Sequence, residues 1–295
     1  MTTKSKVILF GMVLITMACS LGLPTPTAQP QTDRVGTLVA ATMQALSAEA
    51  PTQAAPTEYV PTQVVGTPIT FNNVSFIIPT GLASGASVES VPVIGENDGA
   101  PWEVAPAHIV FTLNGYLLQG KFHEPRIYIF PADEFANTNE GAAKNIQALK
   151  NPPQWSLDAL PHIPFFNAAQ VFAAQILPIQ SNSSSGIRFL TEYAQYFASI
   201  NNQDLFYHFQ GLTSDGTFYV IAILPITSPL LAPEENPDSP IPADGVPVPM
   251  FDDPNADFQS YYTAVTDKLN SADANSFTPT LSQLDALIQS IIVVP

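Results

Sequence analysis

Four β-rich runs stand in close succession between Ala169 and Ile226: AQVFAAQIL, GIRFLTEYAQYFASI, DLFYHFQGLT and TFYVIAILPI. They are punctuated by SNSSSG, NNQ and SDG. Clusters of Ser, Asn, Asp and Gly make tight turns. Connections this short join antiparallel neighbours, because a parallel pair needs a crossover of a dozen or more residues. Residues 169–226 therefore predict a four-stranded meander. Phe218 to Leu224 is apolar on both faces, as in a central strand covered by a helix. On the run before it, alternation sets Leu205, Tyr207 and Phe209 on one face and Phe206 with His208 on the other.

The flanking sequence completes an α+β pattern. Ile69 to Phe71, Asn72-Asn73 and Val74 to Ile78 read as a hairpin, since Asn tolerates the positive φ of a tight turn. Further strands are expected at 87–94, 108–113 and 126–130. NEGAAKNIQALK (139–150) is a short amphipathic helix stopped by Asn151-Pro152-Pro153. Residues 225–254 hold nine prolines and read as a long surface loop. Two helices follow, at 256–270, capped near Asn255 or Asp257, and at 280–293, where Leu281, Leu284, Leu287, Ile288 and Ile291 form an apolar stripe. Strands with segregated helices give an α+β layer fold, with one globular domain expected over 68–295.

The first 67 residues have a different character. Lys4 and Lys6 precede an uncharged apolar run, Val7 to Met17, followed by Ala18 and Cys19. Charge, a short apolar stretch and small residues form a secretory signal, assigned to residues 1–18. Thr16, Met17, Ala18 and Cys19 stand where a bacterial lipidation signal has Leu, a small residue, Ala or Gly, and Cys. Lipid on Cys19, the sole cysteine, is the expected membrane anchor. Residues 19–67 are dominated by Pro, Thr, Ala and Gln, a composition that cannot bury enough apolar area to offset its ordering entropy. Within this tether, Val35, Leu38, Val39, Met43 and Leu46 recur at helical spacing, predicting a short helix at 35–49.

Removing residues 1–18 takes away Lys4 and Lys6 and no acid, leaving 7 basic against 25 acidic residues and a net charge of −18. Nucleic-acid binding needs a basic footprint, and this chain has none. One cysteine cannot form an internal disulfide, so the domain must be stable through its core.

The stretches LPHIPFFNAAQVFAAQ (160–175), GIRFLTEYAQY (186–196) and NNQDLFYHFQGLTSDGTFYV (201–220) resemble a recurrent family of bacterial surface lipoproteins to which no activity is assigned. The resemblance covers most of 68–295 and implies an extracytoplasmic, lipid-anchored domain. The opening hairpin and the closing LSQLDALIQSI also resemble the PsbP/Mog1-like α+β fold. Fold alone would transfer no function.

Catalytic motifs are sparse. Gly81-Leu82-Ala83-Ser84-Gly85 has its serine one place late for a nucleophile elbow, and no Ser-x-x-Lys occurs. After His123-Glu124 the second zincin histidine would fall on Ile127. No phosphate-binding Gly-rich loop appears. His108, His123, His162 and His208 are scattered without metal-ligand spacing. Acidic residues crowd one stretch: Glu234, Glu235, Asp238, Asp244, Asp252, Asp253 and Asp257. Asp253, Asn255 and Asp257 match the first alternate ligands of an EF-hand, but Phe258 and Ala264 replace its Gly and its bidentate Glu. An irregular Ca²⁺ site involving Asp252, Asp253 and Asp257 is the metal candidate, and a solvated loop with helix capping explains the same residues. Trp102 and Trp155 sit in Pro-flanked segments. With Tyr193, Tyr196, Tyr207 or Tyr219 they could form an aromatic platform for sugar or peptide, although aromatics at such places are more often core.

The expected function is a membrane-anchored binding or interaction module for a peptide, glycan or envelope protein. The alternatives are a structural accessory of an envelope complex and a hydrolase without a recognisable motif. Convergence of His123 or His208 with an acid and a hydroxyl would favour the hydrolase.

Overall fold

A computed structural model describes residues 64–181, 183–236, 238–250, 253 and 255–294. The signal segment, Cys19, the 35–49 helix and nearly all of the tether lie outside the described residues. The first strand, β1 (Gly66–Phe71), turns directly into β2 (Val74–Pro79), with Phe71 opposite Val74. The two-residue turn is the expected Asn-Asn, and Asn72 takes the left-handed conformation at φ 51°. Next come β3 (Gly85–Val91), β4 (His108–Asn114) and β5 (Arg126–Pro131).

Two helices follow β5, where the sequence pattern showed one. α1 (Ala132–Thr138) starts straight off the strand after Pro131, without a side-chain cap. α2 (Glu140–Lys150) starts at Asn139, whose side chain accepts from the Ala142 N–H at 3.0 Å.

The meander is present, with its first two runs each broken once. The first yields β6 (Ala169–Gln170) and β7 (Ala174–Gln180); the second yields β8 (Ser184–Thr191) and β9 (Tyr193–Ala194). β6 and β9 pair with each other outside the main sheet. β10 (Phe206–Thr213) and β11 (Phe218–Pro225) complete it. The main sheet is seven-stranded and antiparallel, in the order β3-β4-β5-β11-β10-β8-β7. The last four are the meander, and β11 lies at the centre.

The chain ends with α3 (Phe258–Ser271), α4 (Leu281–Gln289) and β12 (Ile292–Val293). Asp257 caps α3, accepting from the Ser260 N–H at 2.9 Å. The helix expected to reach 293 stops at Gln289, and β12 pairs with β2 in a three-stranded sheet. Ile291 to Val294 is a β-branched run, which suits a strand better than a helix. The Ser290 hydroxyl makes the switch: it donates to Leu287 O at 2.7 Å and accepts from the Ile77 N–H at 3.0 Å.

Both faces of the main sheet are covered. Tyr207, Phe209, Val220 and Leu224 pack with Phe76 and Ile78 of β2 and with Val265, Leu284 and Leu287 of α3 and α4. Phe206, Tyr219, Ile221 and Ile223 pack the other way, against Phe135, Ile146 and Leu149 of α1 and α2. This explains the unbroken apolar run of β11 and gives an α+β layer fold.

Residues 226–257 contain no helix or strand among those described. The stretch is not wholly a surface loop, because Ile226, Leu231 and Ala232 are buried. Asn202 pins it to the sheet end: its Oδ1 accepts from Ser228 N–H at 2.7 Å, and its Nδ2 donates to Ser228 O at 2.9 Å and Leu231 O at 3.0 Å. This clamp holds the following residues, Glu235 among them, beside the end of the meander.

Candidate acidic aromatic cleft

At the end of β8 the chain leaves the main sheet. Thr191 Oγ1 donates to Phe172 O at 2.7 Å, and Val171 N–H donates to Glu192 O at 2.9 Å. The kink between β8 and β9 leaves an open cleft of about 730 Å³. Its walls come from Phe122 and His123 before β5, Phe165 to Ala168 before β6, and the 192–198 segment. Asp204 and Glu235 close it.

The acidic wall is ordered by Asn201. Glu192 is 2% exposed, and its Oε2 accepts from the Asn201 N–H at 3.2 Å. The Asn201 amide donates to Asp204 Oδ2 at 2.8 Å, and its Oδ1 accepts from Gln203 N–H at 2.8 Å. One buried asparagine therefore forms the NNQD turn and links two acids. Burial lifts the Glu192 pKa well above the usual carboxylate range, and the negative charge of Asp204 adds to it. The third acid is Glu235, whose Oε2 accepts from the Tyr196 hydroxyl at 2.7 Å. That bond, more than burial, pushes the phenol up to about 12.

The apolar wall is a ring stack. His123 lies parallel to Phe166 at 5.4 Å and edge-on to Phe206 at 4.5 Å. Phe166 meets Tyr193 edge-on at 5.5 Å. Burial drops His123 to about 4, so it is a neutral ring at neutral pH. Two rim residues, Phe122 at 70% and Tyr196 at 64% exposure, present large apolar surfaces to solvent. Among the described residues, no Lys or Arg lines the cleft. Lys121 stands beside Phe122 in sequence, and its ammonium donates to Asn202 O at 2.9 Å.

The structure brings together only part of the expected aromatic platform. Tyr193 and Tyr196 line the cleft. Tyr207 does not: it is fully buried on the opposite sheet face, with its hydroxyl donating to Asp285 at 2.9 Å. Alternation had placed it on the face that α4 covers. Tyr219 is likewise buried, and its hydroxyl accepts from Asn145 at 3.2 Å. Trp102 occupies a single 3₁₀ turn at 39% exposure, and Trp155 is half-buried against the α1–α2 side of the core. Neither tryptophan lines the cleft.

Of the expected calcium ligands, Asp253 and Asp257 serve local turns and a helix cap. Asp253 accepts from the Asn255 N–H at 2.8 Å, and Asp257 is the α3 cap. Asp252 lies outside the described residues. Among the described residues, no group of three or more His, Cys, Asp or Glu is placed to hold a metal ion.

Glu192 and Asp204 belong to no motif in the sequence, and His123 stands in the incomplete His-Glu pair and is a candidate for the hydrolase reading. The one sequence signal for Glu192 is a lone acid inside the apolar β-run FLTEYAQY. No protein-family model matches the chain, and neither does any curated protein or solved structure.

Proposed function

We propose that this chain is an extracytoplasmic lipoprotein, anchored through lipid on Cys19, whose folded domain is a ligand-binding module with the acidic aromatic cleft as its site. The observation that supports the binding reading is the cleft itself: rings on one wall, three carboxyl groups on the other, and exposed aromatics on the rim. Concave sites with an apolar lining and a few convergent polar groups are where small ligands bind. The lipobox-like residues before Cys19 and the Pro/Thr-rich stretch after it support the anchor. The histidine-based hydrolase reading needs a histidine paired with an acid, and no histidine among the described residues is hydrogen-bonded to a carboxylate.

Thermal-shift screening of the full-length protein in detergent, against soluble glycans, peptides and small metabolites, tests the binding role. A ligand that binds the folded state raises the melting temperature by mass action. Its effect should vanish in Phe122→Ala and Tyr196→Ala and persist in Trp102→Ala. Protection that survives in both cleft variants would remove the cleft from the proposal. Mass spectrometry of the mature N-terminus should show diacylglyceryl Cys19; an unmodified Met1 would overturn the anchor.

A further inference from the structure

A carboxyl group buried without a cation is costly, because desolvation penalises its charged form. Glu192 is in that position. Its Oε2 has one backbone N–H, and its Oε1 makes no hydrogen bond among the described residues. Arg188, four residues earlier on β8, is buried too, but it is engaged with Asp285 at 3.3 Å on the opposite sheet face. The cleft thus holds a buried acid facing an open space, flanked by two more acids; among the described residues no cationic side chain is in its lining, and Lys121, close enough to Asp204 to feel its charge, is held outside on Asn202 O. The rest of the lining is six aromatic rings with Asn167, Gln195 and alanines between them, and ring faces have quadrupoles that attract positive charge. His123 does not oppose this, because burial keeps it neutral. Every element of the cleft favours one kind of guest: a compact positive charge on an apolar body.

From this juxtaposition, and resting on the reading of the cleft as a ligand site, we propose that the cleft binds an alkylammonium ion, with the cationic head between Glu192 and the Phe166, Tyr193 and Tyr196 rings. Such a head occurs in free solutes and in the headgroups of phosphocholine lipids. The lipid form brings a phosphate close to Asp204 and Glu235, which disfavour it, so a free solute is the expected source.

Titration by saturation-transfer NMR at neutral pH, on the full-length protein in detergent, tests the proposal. The probes are choline and 3,3-dimethylbutan-1-ol, which has the same shape without the charge. Choline should bind at least about tenfold more tightly than the neutral alcohol, the difference that one cation–ring contact at the open rim and the Glu192 carboxyl supply together. Burial holds the free Glu192 carboxyl toward its protonated form, and an arriving cation ionises it with release of the proton to solvent; Glu192→Gln retains an acceptor for Asn201 and cannot ionise, so it should weaken choline about tenfold while the alcohol is unaffected. Its melting temperature should equal or exceed that of the parent, since a buried acid is replaced by a neutral amide. If Glu192→Gln does not fold, Tyr196→Ala carries the test at an exposed position and should weaken choline more than the alcohol. Glycerophosphocholine binding more weakly than choline would identify a free solute; tighter binding would retain the alkylammonium class and assign it to a lipid headgroup. Equal affinity for choline and the alcohol, or full affinity of Glu192→Gln for choline, would overturn the cationic class and leave the cleft as an apolar site. Failure of every ligand class in the thermal screen would instead remove the cleft reading itself.

Discussion

His208 offers a measurable link between the buried polar network and pH. It is fully buried on β10, with Nδ1 donating to Ala222 O at 3.0 Å and Nε2 accepting from Gln210 at 2.7 Å. The Gln210 amide also donates to Pro161 O and His162 O, each at 3.1 Å, so this ring helps fix the 160–163 segment on the sheet. Burial lowers its pKa from 6.5 to about 3. A group whose folded pKa lies below its unfolded value gives stability that is complete above the unfolded pKa and is lost as pH falls toward the folded one. The window here is pH 6.5 down to about 3. At about pH 5 the unfolded ring is almost wholly protonated and the folded ring is not, which costs about 2 kcal/mol relative to about pH 8. Glu192 and Asp285 have raised pKa values and act in the opposite sense, gaining stability as pH falls. Raw acid stability would mix these contributions, so the test is a difference. Urea unfolding of the parent and of His208→Gln, which keeps one donor and one acceptor, is measured at the two pH values. The variant should be the less stable at the higher pH, and the gap should narrow by about 2 kcal/mol at the lower. A gap constant to within about 0.5 kcal/mol would refute the assignment of a neutral, buried imidazole.

Two stability predictions concern the opposite sheet face and the strand pairing. Asp285→Ala leaves Arg188 buried without its carboxylate and the Tyr207 hydroxyl without its acceptor, so denaturant unfolding should register a loss of about 3–5 kcal/mol, while Arg188→Met with Asp285→Leu should restore much of it. Gly186 and Gly211 are paired across β8 and β10 beneath the Phe209 ring; a Cβ at Gly211 would lie 2.5 Å from that ring and 2.8 Å from Ser185 O, so Gly211→Ala should lower the urea midpoint by an amount equivalent to about 1–3 kcal/mol or more.

The meander was legible because its signals are local. Turn chemistry at 214–217 is carried by residues adjacent in sequence: Asp215 accepts from the Thr217 N–H at 3.0 Å and from the Thr213 hydroxyl at 2.6 Å. The Asn-Asn hairpin and the Asn139, Asp257 and Thr280 caps belong to the same class. The misread elements depend on distant partners. The register shift inside β7, between Ala174 and Leu177, rests on Gln175, at φ 54°, whose amide donates to Leu269 O at 2.7 Å and Ala272 O at 3.1 Å near the end of α3. β12 exists because β2, more than two hundred residues earlier, offers an edge. α1 has neither a side-chain cap nor length, and it forms where β5 delivers Phe135 onto Phe130 at 4.2 Å.

The site was harder to read than the fold for a related reason. Aromatic residues mark cores and ligand surfaces alike, and strand alternation says which share a face without saying which face stays open. Tyr207 and Tyr193 are equivalent by composition; α4 covers the first, and the kink after Thr191 carries the second out of the sheet. An acid in an apolar strand is different, since it has no core role to fall back on. Either a partner neutralises it, as Arg188 does for Asp285, or burial holds it toward its protonated form, and where it also opens onto a space an arriving cation can ionise it. Glu192 meets the second condition, and among the described residues its carboxyl is hydrogen-bonded by the asparagine that also holds Asp204. The physical argument for a ligand therefore rests on one carboxyl group more than on the count of rings around it, and Glu192→Gln separates a cleft built for charge from one that is merely apolar.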